Sequence, residues 1–144
     1  MKVLFLAFCA FATTNLHAQS LKDKKIIAEN DEIFKQELAD TNKACGTKIA
    51  GKIDWASFSK GKVDLTKFNI GDGYCKDAIF ALKDLCSDAT AKAEISKKVK
   101  SYTCKFGGPG KRAISLKGGT VEAMIELDAS NNSYFFREKL EELL

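Results

Sequence analysis

The chain predicts an α+β domain: N-terminal helices and a disulfide-tied helical pair packed on a three- to four-stranded antiparallel sheet, followed by a C-terminal helix. Three observations predict it. Between Val99 and Asp128, three runs alternate apolar and polar residues with a period of two, the pattern of strands with one buried and one solvated face. Two earlier segments, Leu21 to Ala44 and Gly73 to Ser87, instead carry apolar residues at helical spacing. Four cysteines, Cys45, Cys75, Cys86 and Cys104, fall in or beside these elements.

The first eighteen residues read differently. Lys2, the apolar run Val3–Ala12, the more polar Thr13-Thr14-Asn15 and then Leu16-His17-Ala18 have the layout of a secretory signal peptide, too short to serve as an anchor. Residues 1–18 are therefore expected to be cleaved, with Ala18 preferred over the A-x-A site at Ala10–Ala12, which would leave a shorter hydrophobic run. Residues 19–144 then form a single disulfide-stabilised domain, long enough for its own core. Cys9 and His17, the only histidine, leave with the leader. A secreted or periplasmic domain with four remaining thiols predicts two disulfides.

Taken in order, the first helix places Ile26, Ile27, Ile33, Phe34, Leu38, Thr41 and Cys45 in one stripe, with Asn30-Asp31 as a point where it could break and Gly46 at its end. In residues 47–73, Ile49, Gly51, Ile53 and Trp55 alternate as a short edge strand; alternatively, Asp54 caps a turn that puts Trp55 and Phe58 on one side. Trp55 and its neighbouring Phe residues read as core or loop anchors. Asp72 is the expected N-cap of the second helix. At 100° per residue, Cys75, Ile79, Leu82 and Cys86 form one line on it, opposite Asp77, Asp84 and Asp88. Ala89 to Lys98 reads as a third, shorter helix. Tyr102, Cys104 and Phe106, then Ile114 and Leu116, then Val121, Ala123, Ile125 and Leu127 mark the buried faces of three strands in a meander, with Val121–Leu127 as an open edge. Asn132 or Ser133 caps a last helix buried through Phe136, Leu140, Leu143 and Leu144.

Four cysteines allow three pairings. Cys75 and Cys86 lie about 16 Å apart along one helix, beyond the roughly 7 Å a bridge tolerates. If the second helix, third helix and first meander strand run up, down and up, Cys86 returns beside Cys104. The expected bridges are then Cys45–Cys75 and Cys86–Cys104, with the crossed pairing as the alternative.

Chemistry is constrained mainly by what residues 19–144 lack. They contain no histidine for a Ser–His–Asp or Cys–His site, no C-x-x-C and no Cys₄ zinc spacing. Gly107-Gly108-Pro109-Gly110-Lys111-Arg112 lacks the first Gly and the Ser/Thr of a phosphate-binding loop and precedes a strand. Glu122 and Glu126 lie about 13 Å apart along a strand, farther than paired glycosidase carboxylates. The sequence therefore predicts no enzyme, metal or cofactor, and a carboxylate-based hydrolase is the least favoured reading. Asn131-Asn132-Ser133 matches a glycosylation sequon.

Charge is uneven: Lys43 to Arg112 holds 15 basic and 7 acidic residues, whereas Glu122 onward holds 2 and 6. The cations are nearly all Lys, which argues against base-reading of nucleic acid. The favoured reading is an exported, non-catalytic binding or accessory domain for an unknown protein. Its expected surfaces are the polar sheet residues Thr103, Lys105, Ser115, Lys117, Glu122 and Glu126, with Lys105, Lys117, Glu122 and Glu126 forming cross-strand charge pairs, and the Lys-rich Thr47–Gly73 loop. The runner-up is attachment to an anionic envelope polymer or lipid surface through Lys48, Lys52, Lys60, Lys62 and Lys67.

Overall fold

The computed structural model describes residues 20–127 and 133–144; the leader, the sequon and the Asn132 cap position lie outside the described residues. The elements are α1 (Leu21–Cys45), β1 (Ala50–Ile53), α2 (Trp55–Lys60), a π-helical turn (Ile70–Cys75), α3 (Lys76–Leu85), α4 (Ala89–Lys98), β2 (Ser101–Phe106), β3 (Ala113–Lys117), β4 (Thr120–Ile125) and α5 (Ser133–Leu143). The class is α+β, as the periodicities predict.

α1 starts where Ser20 and Asp23 form a reciprocal capping box and ends at Gly46, whose φ of 68° suits a residue without a Cβ. It is unbroken at Asn30. That side chain is buried instead, donating to the Ile26 carbonyl and accepting from Gly71 N–H. Ile33, predicted within the stripe, is exposed, as is Leu143 on α5. Asp72 does not cap the second helix, because the chain coils into a π turn from Ile70; Asp72 pairs with Lys76 one turn on. Asp88 caps α4 by accepting from Ala91 N–H.

Each reading of the 47–60 segment holds in part: β1 is an edge strand but ends at Ile53, and α2 follows from Trp55, although the Asp54 side chain makes no capping hydrogen bond. Asn42 anchors this segment, its side chain accepting from Ile49 N–H at 2.7 Å and donating to the Ile49 carbonyl at 2.9 Å. Trp55 donates to Asp31 at 2.9 Å and its ring packs on Phe58, which stacks on Phe106.

The sheet order is β1-β2-β4-β3, with β1–β2 and β2–β4 parallel and β3–β4 antiparallel. It is therefore mixed, where an antiparallel meander was expected. β4 inserts between β2 and β3, so the predicted open edge at Val121 is interior. Burial explains the order. Tyr102 and Cys104 on β2 and Val121, Ala123 and Ile125 on β4 are completely buried; central positions suit these two strands. β3 is shorter, has exposed ends at Ala113 and Lys117, and takes the edge.

The two bridges are Cys45–Cys86 and Cys75–Cys104, with Cα separations of 5.1 and 5.7 Å. This is the crossed pairing, and it corrects the expected one. The reason is that α4 does not run back along α3. It lies across the end of α1, where Lys92 and Ser96 donate to the Ala44 and Cys45 carbonyls. The chain thus reverses once between α3 and β2, and Cys104 meets the start of the second helix rather than its end.

Candidate functional site

Apolar side chains set the two faces of the sheet. The face carrying Ile53, Tyr102, Cys104, Val121 and Ile125 is buried under the helices. Phe34 of α1 meets the Tyr102 ring, and Cys75 is bridged to Cys104 from the same side. The alternate residues emerge on the opposite face, where no helix among the described residues covers them. In register they form rows: Ala50, Ser101, Thr120 and Lys117, and beside it Lys52, Thr103, Glu122 and Ser115.

Five of the six predicted sheet residues therefore share one open face: Thr103, Lys105, Ser115, Lys117 and Glu122. Lys105 pairs with Glu122 at 2.7 Å on the diagonal between β2 and β4, a cross-strand pair of the expected kind. Ser101 and Thr120 share a 2.8 Å hydrogen bond between their hydroxyls. Lys117 is exposed opposite Thr120 and makes no ion pair with a described residue. Glu126 lies just past β4 and turns to the Gly110 N–H.

The lysines chosen from residues 47–73 do not converge. Lys48 and Lys52 flank the start of β1 at the end where β2 and β4 also begin, here called the upper end. Lys60 ends α2 and Lys62 follows it at the lower end; Gly61, between them, abuts Phe106 at the end of β2. Lys67 pairs with Asp64 at 3.5 Å and lines a groove against Ile26 and Glu29 of α1.

The upper end gathers further cations that sequence reasoning left unassigned. α1 and α3 are bridged there at their C-terminal ends, and Lys98 donates to the Leu144 carbonyl beyond α5. Four helices, α4 included, thus direct C-terminal carbonyls to one end, equivalent to about −0.5 elementary charge each. Lys92 answers Ala44, Lys98 answers Leu144, and Lys100 donates to the Ser96 carbonyl at 3.3 Å. A signal was present in the sequence: Lys43, Lys97, Lys98 and Lys100 cluster at predicted helix ends.

Among other ionisable groups, burial of Asp77 raises its carboxyl above the usual range, with Lys76 opposing and Asp72 adding to the rise. Tyr102 is wholly buried, its hydroxyl has no hydrogen-bond partner, and burial pushes its ionisation well above the ordinary value. No helix of the described residues is long and apolar enough to cross a membrane. A search of family models, of characterised proteins and of solved structures finds no match to this chain.

Proposed function

We propose that the protein is an exported, non-catalytic binding or accessory domain whose working surface is the open face of the four-stranded sheet. The observation that carries this reading is the one-sided packing: α1, α3 and α5 cover a single face, and the other presents hydroxyls and paired charges around Thr103 and Ser115. Ser101 and Thr120 use their hydroxyls on each other, a cross-strand pair that serves the sheet itself, whereas the hydroxyls of Thr103 and Ser115 are offered as donors and acceptors to a partner. The carboxylates nearest this face are already engaged, Glu122 by Lys105 and Glu126 by the Gly110 N–H. That supports binding over hydrolysis. The leader-like residues 1–18 and the two disulfides support an oxidising compartment, periplasmic or extracellular.

Photo-crosslinking tests the surface. A photoreactive residue at Thr103 or at Ser115, exposed to the native secreted or envelope fraction, is expected to capture the partner; one at Gln36 on the outer side of α1 is not. Equal capture at all three positions overturns the assignment. Export is tested separately by sequencing the N-terminus of the natural product, which is expected to begin after Ala18. A product that still begins at Met1 overturns it.

A further inference from the structure

Two depressions lie near the starts of β1 and β2. One, of about 370 Å³, opens at the upper end between Thr47, Lys48, Ser96 and Lys100. The other, of about 340 Å³, lies on the open face over Ala50, Lys52, Ser101, Thr103 and Thr120. The Ala50 N–H donates to the Lys100 carbonyl at 3.1 Å, joining a residue that lines one depression to a residue that lines the other. Neither is lined by a carboxylate. The depression between α4 and α5, by contrast, carries Asp88, Glu94 and Glu141.

Lys48 and Lys52 line the path from one depression to the other, Lys117 stands opposite Thr120 on the open face, and Lys97 follows Ser96 in the last turn of α4; all four are exposed and make no ion pair with a described residue. Their neighbours are committed, Lys98 to Glu94 and Lys105 to Glu122. Helix-end carbonyls hold Lys92 and Lys100 by hydrogen bonds, whereas these four, Lys97 in the last turn of α4 included, make no such bond with a described residue. Lys117 lies opposite Thr120, which adjoins Ser101, which adjoins Ala50. At the usual strand spacing, the row spans about 15 Å.

We propose that this path binds a linear anionic polysaccharide, its carboxylate or sulfate groups held by the four lysines and its hydroxyls by Ser101, Thr103 and Thr120. The proposal rests on the open face as the working surface and names its partner. Charge complementarity supplies the attraction. Shape selects the occupant: the cations lie on two surfaces, the end and the face, which a flat bilayer does not touch together. A single-stranded nucleic acid would want stacking rings, and the one aromatic at either depression, Tyr102, has its ring buried on the other side of the sheet. The floor offers hydroxyls rather than apolar pockets for peptide side chains.

The test uses the oxidised protein with polygalacturonate and a sulfated polysaccharide as probes, in low and in physiological salt. Binding is expected to one or both, weakening steeply with salt as bound counterions are displaced. Joint replacement of Lys48, Lys52, Lys97 and Lys117 by Gln is expected to reduce affinity by about tenfold or more. The same change at Lys22, Lys24, Lys60 and Lys62, near the opposite end, removes equal charge and is expected to leave affinity nearly unchanged. Equal losses in the two variants overturn the proposal, as does failure of the unmodified protein to bind either polymer. Tighter binding to polyglutamate, single-stranded DNA or anionic vesicles overturns it too. Crosslinks at Thr103 that persist in the first variant would sink the polymer assignment while leaving the open face as the binding surface.

Discussion

Asn30 accepts a hydrogen bond from the backbone N–H of Gly71, 41 residues later in the chain, and Cys45 is bridged to Cys86 across the same interval. The interval is general. The buried residues of α1, namely Asn30, Phe34, Glu37, Leu38, Thr41 and Cys45, correspond one for one to buried Gly71, Cys75, Ala78, Ile79, Leu82 and Cys86. A constant offset means two helical segments running parallel in register. Glu37 and Lys83 form a salt bridge between them.

The lower tie brings two backbones close together. A Cβ on Gly71 would stand 2.4 Å from the Asn30 carbonyl oxygen, a backbone atom that cannot swing aside. Gly71→Ala is therefore expected to destabilise the protein by about 2–4 kcal/mol, and Asn30→Ala, which strands a buried N–H, by about 1–3 kcal/mol. Urea midpoints at constant m-value measure both. Midpoints that match the parent would refute the tie.

The disulfides give a direct chemical test. Peptide mapping without reduction is expected to recover Cys45 joined to Cys86 and Cys75 joined to Cys104, and no Cys86–Cys104 species. Replacing Cys75 and Cys104 together by Ala is expected to cost about 2–5 kcal/mol, because that bridge fastens the helical layer to the centre of the sheet.

Tyr102 buries a hydroxyl that nothing satisfies. Tyr102→Phe is expected to leave stability unchanged or to raise it by up to about 1 kcal/mol at neutral pH. The two proteins are expected to part further in alkali. Burial raises the folded-state ionisation of Tyr102 above the ordinary 10.0, so its contribution is intact below that value and is lost as pH climbs toward the folded-state one. Thermal melts across the alkaline range check this; parallel decline of both proteins would contradict it.

Asp77 works in the acid range. Its carboxyl is raised by burial, opposed by Lys76 and reinforced by Asp72. Such a group favours the fold below its unfolded value of 3.8, and the benefit disappears as pH rises through the folded value. Asp77→Asn is expected to exceed the parent in stability at pH 7 by less than about 1 kcal/mol, since the carboxylate keeps part of its hydration. The two are expected to converge well below pH 3.8. A deficit for Asp77→Asn at neutral pH would reverse the sign and reject the account.

Local pattern revealed most of the elements. Period-two alternation marked β2, β3 and β4, and the stripes from Phe34 to Cys45 and from Cys75 to Cys86 marked two buried helical faces, because burial on one side imprints its period directly. Order in the sheet left no such imprint. Tyr102 and Val121 alternate identically whether their strands are neighbours in a meander or parallel partners, and only their greater burial relative to Ile114 and Leu116 separates centre from edge. The bridges depended on the direction of α4, which ten residues with one buried side chain, Ile95, did not specify. The 41-residue offset between the two stripes did not decide the pairing, because any two helical stripes coincide at some offset whichever way the helices run. Five of the six sheet-face residues emerged together because alternation alone dictates a face, whereas the Lys48–Lys67 group scattered because proximity in a loop does not.

The placement of β4 bears on when the molecule can form during synthesis. One of its two interior strands is the last of the four to be made, so a ribosome that has delivered β1, β2 and β3 has supplied a β1–β2 pair and a β3 with nothing to join it. Nascent chains therefore stay open until residues 120–125 emerge, and every truncation upstream of Thr120 lacks the piece that joins the two halves of its sheet.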